Sequence, residues 1–431
     1  MRSSRAIATA AIALSAVTGL AACGTSSGGS AAPSSNNGSK VTLTFMNNAT
    51  GQLTTVWNDT IKQFEAQHPN VTIKNQFLQN EQFATKVPLL LQGSNPPSIY
   101  QQWGGGQEAT HLKSGKLEDM TSATSSWVNS EIGLPAQGWQ VDGKQYGVPF
   151  DLHVVGFWYR KDLFQKAGIS APPTTVAELE QDDMKLQQHG IAPIAVGSKD
   201  KWPDAFWWEY FAIRECPSAT LQKAMSSQDL SDACFGKASS DLTAFLKTNP
   251  FQKGYLGTAA QLGSGSSAGM VATGKAAMEL QGDWDPGVMS GLVKNGAQVE
   301  SELGWFPFPS VDGGQGDAKA VLGGGDGFSC TTGAAEPACT QFLQFIDSTP
   351  VQQKIVATGS GMPANKAAAG AITVPGEKTA LTTYQASDYI QTYFDTALPQ
   401  QPGQNLDTAL ASFFAGQGNA QSIVDSVKGP A

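Results

Sequence analysis

Val41-Thr-Leu-Thr-Phe-Met46, then Val56, Trp57, Ile61 and Phe64, then Val71-Thr-Ile-Lys-Asn-Gln-Phe77: the stretch 41–77 decides the fold. Its first segment alternates apolar and polar residues, the period of a half-buried strand. Its second sets apolar residues three and four apart, the period of an amphipathic helix, and Pro69 stops it. The third alternates again. Strand, helix and strand in so short a span form a crossover unit, which implies a parallel sheet. The grammar recurs further on. Thr175 and Glu178 form a capping box before a helix over 176–186, and Ile191-Ala-Pro-Ile-Ala-Val196 reads as a buried strand. Glu336-Pro337 opens a helix through Phe342, Phe345 and Ile346, and Pro350 opens the next. The fold class is α/β. The Gly-rich runs at 263–269 and 313–316 are loops within it, since patterned sequence resumes beyond each.

Ahead of this body, Arg2 and Arg5 precede an apolar run, Ala6 to Leu20, that ends in Leu20-Ala21-Ala22-Cys23. A charged start, a short hydrophobic run and small residues at the cut predict an export signal over 1–22. Cys at the first mature position is the lipobox pattern, so Cys23 is expected to carry the lipid. Residues 23–40 are mostly Ser, Gly, Ala and Asn and predict a flexible tether reaching roughly 20–25 Å. The expected place of work is the outer face of the cell membrane, or the periplasm where an outer membrane exists, with the lipid as the only anchor.

The 431 residues are enough for two domains. Loss of Arg2 and Arg5 with the signal takes the formal net charge from −9 to −11. An acidic body with no basic run argues against nucleic acid and against polybasic membrane binding. Setting Cys23 aside leaves four cysteines, which allow three connectivities in an oxidising compartment. Nearness in sequence favours Cys216–Cys234 and Cys330–Cys339. The pairs do not follow zinc-ligand spacing, and neither a metal nor a cofactor is expected.

Two motifs suggest catalysis and fail on context. Gly265-Ser266-Ser267-Ala268-Gly269 fits the nucleophile elbow of hydrolases, but that turn needs a hydrophobic strand before it. Gly269-Met-Val-Ala-Thr-Gly274-Lys275-Ala276 approaches a phosphate loop, but Ala276 stands where a hydroxyl would hold magnesium. Asp and Glu are plentiful enough to supply a glycosidase pair, yet no spacing selects one.

An ordered series of motifs over Val41 to about Val427 resembles the extracellular solute-binding proteins of ABC sugar importers, family 1, the maltodextrin-binding class. Phe64-Glu65 with His68-Pro69-Asn70-Val71 is similar to that family's junction of first helix and second strand. Leu89-Leu-Leu-Gln-Gly93 before Pro96-Pro97 is another match, with Ser98 where Asp is usual. Tyr146-Gly-Val-Pro149 and Trp158-Tyr-Arg-Lys-Asp-Leu-Phe164 continue the series, followed by Ala167-Gly168-Ile169 and Pro172-Pro-Thr-Thr175. Gly274-Lys-Ala-Ala-Met278 with Gly282-Asp283-Trp284 completes it and accounts for the false phosphate loop. The resemblance implies a two-lobed periplasmic-binding-protein-like fold of type II, with parallel-rich sheets flanked by helices and ligand held between lobes. It implies lobe one over 41–151 plus 311–365, lobe two over 152–310 plus 366–431, and one disulfide in each.

A sugar offers hydroxyls at its rim and C–H groups on its faces, so its site needs aromatic platforms and planar hydrogen-bonding groups. Trp103 follows a strand-like segment, where open α/β sheets place ligands, and matches a family position that contacts sugar. Trp284 matches the family's stacking Trp and has Asp283 beside it. In the run Trp202-Pro-Asp-Ala-Phe-Trp207-Trp208, helical spacing puts Trp207 on one face and Trp208 elsewhere, making Trp207 a candidate and Trp208 core. Asp151 and His153 stand where the family's chain crosses its hinge; Asn48, Asp326 and Glu81 line the expected rim. The resemblance implies a non-catalytic, monomeric receptor that passes a sugar to an ABC permease, with a short β-linked oligosaccharide the favoured ligand. The alternatives are a lipid-anchored glycoside hydrolase and a receptor for peptides or other solutes.

Overall fold

The deciding stretch forms strand Val41–Asn47, helix Gly51–Gln67 and strand Val71–Phe77, and the two strands pair in parallel with Val41 opposite Val71. The helix buries Leu53, Trp57, Ile61 and Phe64, each side chain contributing about 1.5–3 kcal/mol as it leaves water. This computed structural model describes residues 39–334 and 336–428; the expected signal 1–22, Cys23 and most of the 23–40 tether lie outside them. From Lys40 onward the chain forms one compact unit.

Two main sheets organise that unit. The first runs in the order Val71–Phe77, Val41–Asn47, Ile99–Gln102, Gly327–Cys330, Val148–Pro149. The second centres on the ten-residue strand Asp151–Arg160, flanked by Val321–Gly324 and Ala276–Gly282. Ile390–Thr392 and Ala192–Ala195 close its two edges in parallel. The sheets are mixed rather than parallel-rich, because every partner of Asp151–Arg160 runs antiparallel to it.

The expected break at 310/311 meets a different arrangement. Val321–Gly324 belongs to the second sheet, and the chain regains the first only at Gly327. Buried Arg214 explains it. Its guanidinium donates to the carbonyls of Phe308 (2.7 Å), Pro309 (3.1 Å) and Ala320 (2.8 Å), fastening that loop to helix Trp202–Glu215. A large apolar core lies against one face of each sheet and a smaller one against the other. Cys216–Cys234 and Cys330–Cys339 are the bonded pairs, one associated with each large core, with Cα atoms 5.2 and 6.2 Å apart.

Candidate functional site

A cavity of about 590 Å³ lies between loops of the two sheets, inside the roughly 300–1,000 Å³ span of small-molecule sites. From the first sheet's side come Asn48, Glu81 and Trp103; from the second come Trp284 and His153, with Asp326 on a connection between sheets. Six of the nine residues singled out in the sequence therefore meet in one place. Asn48 and Trp103 follow the carboxyl ends of neighbouring parallel strands, where such sheets leave a crevice. The Asn48 amide donates to Asn80 Oδ1 at 3.0 Å, while Trp103 meets Phe83 edge to face at 5.8 Å.

Trp284 is the centre of the aromatic lining. Trp202, Phe206 and Tyr393 stand 6.4, 6.5 and 6.4 Å from it, ring centre to ring centre. Its ring folds back over Gly282, where a Cβ would lie 2.1 Å from the indole. Glycine two residues before the tryptophan is thus a steric requirement of the platform. The indole nitrogens of Trp202 and Trp284 and the Tyr393 hydroxyl are buried and have no partner among the described residues. Such groups carry a cost until something hydrogen-bonds them.

Beneath Trp284 lies His153, edge to face at 4.7 Å. Its Nδ1 is 2.9 Å from Asp283 Oδ1, and its Nε2 is 3.2 Å from Asp151 Oδ1 and 3.5 Å from Asp326 Oδ2. Burial alone would lower the imidazole's pKa, but the carboxylates of Asp151 and Asp283 outweigh it and hold His153 protonated well above its ordinary value. Burial pushes Asp151 the other way, up to about 7. Asp151, His153 and Asp326 bring one candidate ligand atom each within 4.8 Å of the others. Both imidazole nitrogens already face carboxylates, while Asp326 Oδ1 is buried with no partner among the described residues.

Three candidates do not line the cavity. Trp207 is core, stacked on Phe245 at 5.1 Å and meeting Phe157 edge to face. Helix Trp202–Glu215 is buried on all sides from Pro203 onward, so no face of it at Trp207 reaches solvent. Asp283 is turned inward, accepting from the backbone of Val154 (3.2 Å) and Met362 (3.0 Å). Asp151 is turned inward too and accepts from the Asp326 amide at 2.7 Å. Trp208 is core, as read, with Nε1 donating to Ser239 Oγ at 2.8 Å.

Sequence reasoning assigned no role to Trp202, Phe206, Tyr393, Asp395, Asp407 and the amide-bearing start of helix Gln400–Phe414, all of which reach the cavity. Trp202 had a signal, since it is the first residue of its helix and escapes the packing that traps Trp207. Tyr393 had none. Burial pushes Asp395 up to about 6 and raises Asp407 well above the carboxylate range. Of the rejected motifs, Ser266 caps helix Ser267–Ala272, its hydroxyl accepting from Gly269 N at 3.1 Å. Residues 276–282 continue as a strand.

Comparison with known proteins gives this geometry a lineage. An uncharacterized ABC transporter extracellular-binding protein of Pyrococcus horikoshii is 25% identical over 314 residues, 71% of this chain and 67% of that protein. A second from the same organism is 31% identical over 179 residues, 40% of this chain and 41% of its own length. A structure from work on xylan utilization by Caldanaerobius polysaccharolyticus superposes with a TM-score of 0.82 at 22% identity, over 90% of this chain and 99% of that one. A chitin oligosaccharide binding protein superposes at 0.80 and 22%, over 90% and 98%. The family model of the bacterial extracellular solute-binding proteins matches residues 50–353, over two thirds of the chain, and the chain belongs to that family.

Proposed function

We propose that the chain is the capture component of an ABC sugar importer, binding a short oligosaccharide and handing it to a membrane permease without altering it. The observation that carries this reading is Trp284. It is a half-buried indole held over Gly282 at the edge of a cavity with Trp202, Phe206 and Tyr393 around it and amides and carboxyls facing it. Sugar C–H faces stack on such rings, and amides and carboxyls suit the hydroxyl rim. Proteins of the same fold concern xylan utilization, chitin oligosaccharides and galactopyranose, which supports a saccharide. A β-linked ligand is the favoured class.

In this reading each sheet forms one lobe, and the chain crosses between them near 150–153, 324–327 and 359–363. Ligand touching both sides stabilises the closed form. Cys23 carries the lipid that holds a monomer outside the cell, and neither disulfide spans the crossings. Among the described residues no helix is long and apolar enough to cross a membrane.

Calorimetric titration against xylo-, cello-, malto- and chito-oligosaccharides and a set of short peptides tests the reading. A saccharide is expected to bind and to be recovered intact by chromatography. Binding of peptides alone would refute it, and shortened sugar would establish the glycoside hydrolase instead.

A further inference from the structure

The segments that pass between the sheets meet at one side chain. His153 sits on the first, Asp326 on the second, and the third passes under the imidazole at Gly361, where a Cβ would stand 2.5 Å from His153 Cε1. Gly361 has φ +134°, so glycine suits both the backbone and the contact. Asp283 completes the knot from the strand that carries Trp284. One of its oxygens faces His153 and the Val154 amide, and the other accepts from Met362. Asp151 joins the first segment to the second through the Asp326 amide. Above this knot lie two groups that face the cavity, the Trp284 ring and the Asp326 carboxyl, whose Oδ1 has no partner among the described residues.

We propose that His153 is a positioning residue, a cross-brace tying the three inter-sheet segments to Trp284 and Asp326 so that both present a fixed surface to the saccharide. The inference rests on the saccharide reading only for what Trp284 and Asp326 touch. The brace itself is a property of the unliganded chain. The geometry suits an imidazolium: two ring nitrogens, each able to donate, face carboxyl groups from three different elements. The charge state follows. Three carboxyl groups face the imidazole, from Asp151, Asp283 and Asp326, and Tyr384 also approaches it. One step out stand Asp347 toward Asp151, Glu377 toward Asp283, and Tyr393 toward Asp283 and Asp326. With no second cation in this ring of acids, the proton on His153 holds it together, and losing that proton loosens Trp284.

The test has two arms. Without ligand, the fluorescence difference between wild type and Trp284→Phe is followed with pH, since an imidazolium against an indole edge quenches it. A transition centred above pH 6.5 is expected, absent in His153→Gln and retained in Trp103→Phe. With the best saccharide from the panel, His153→Ala is expected to weaken binding about tenfold or more. His153→Gln, which keeps two hydrogen bonds, should recover part of the loss at neutral pH but without the wild-type pH profile. Should either variant fail to fold by circular dichroism, Asp326→Asn and the wild-type pH profiles decide in its place. Equal affinity and parallel pH profiles in wild type and His153→Gln, or a Trp284 signal unchanged in that variant, overturn the proposal. Should no saccharide bind at all, the proposed function falls and the ligand-free arm still judges His153.

Discussion

Trp284 and Trp207 are both indoles set among other aromatic rings, and what lies across their faces separates them. Trp284 has a cavity on one side and Gly282 beneath it; Trp207 has Phe245, Phe251 and Phe157 around it. Trp284→Ala is therefore expected to weaken saccharide binding at least tenfold, about 1.4 kcal/mol, with little change in urea stability. Trp207→Ala should do the reverse, removing about 3–5 kcal/mol of stability by opening a core void. Equal affinity for Trp284→Ala and wild type would take that indole out of the site. Gly282→Ala offers a subtler check: its methyl collides with the Trp284 ring, so affinity should drop although residue 282 touches no ligand. The sequence distinguished the two tryptophans poorly because helical spacing yields faces, and a helix buried all round has no outer face to compare with.

At the scale of elements, what could be read was what local chemistry dictates. The Thr175 and Glu178 capping box forms as expected, Glu178 N reaching Thr175 Oγ1 at 3.1 Å. The prolines after Trp202, Glu336 and Thr349 all stand at the second position of their helices. Among the strands that could not be read are Asp151–Arg160, Val321–Gly324 and Ile390–Thr392. Two of them are too short to show a period, and the long one is buried on nearly every residue and so lacks alternation. Cavity residues on the last third of the chain were invisible for a related reason. Tyr393 and Asp395 owe their positions to strand 390–392 pairing with strand 321–324 seventy residues earlier. Local staples are easier to weigh. Cys216–Cys234 closes a separation of 18 residues, which on the chain-entropy model contributes about 3 kcal/mol. The double variant Cys216→Ser, Cys234→Ser should lower the urea midpoint accordingly while leaving saccharide affinity within twofold, since neither cysteine reaches the cavity. A large affinity loss in that variant would mean that the disulfide shapes the site.

The molecule as a whole buries many carboxyl groups, and that sets how its stability depends on pH. Burial is the largest cause in each case: Glu108 and Asp285 are pushed up to about 8, Asp204 and Asp151 to about 7, and Asp395 to about 6. In the unfolded chain these groups ionise near 4. Between those limits the folded state therefore binds more protons than the unfolded one. The stability they contribute is complete below about pH 4 and is lost as pH climbs through the folded values. His153, held protonated above its ordinary value, acts in the same direction. His111 opposes: burial lowers it to about 4, so its contribution is present above 6.5 and fades as pH falls toward 4. From pH 8 down to 6.5 nothing in this set counters the carboxyls, and below 6.5 one histidine faces several of them. Each proton bound by the native state alone gives a slope of about 1.4 kcal/mol per pH unit. Urea midpoints taken from pH 5 to pH 8.5 should accordingly fall as pH rises, most steeply around pH 6, where most of these carboxyls keep their protons in the folded state alone, and more gently toward 8 as they give them up in turn. Glu108→Gln should flatten the upper part of that profile, because an amide carries no proton to lose. A midpoint that holds level or climbs over this range would mean that these acids are ionised in the folded protein, and that their surroundings offer them partners the structure does not contain.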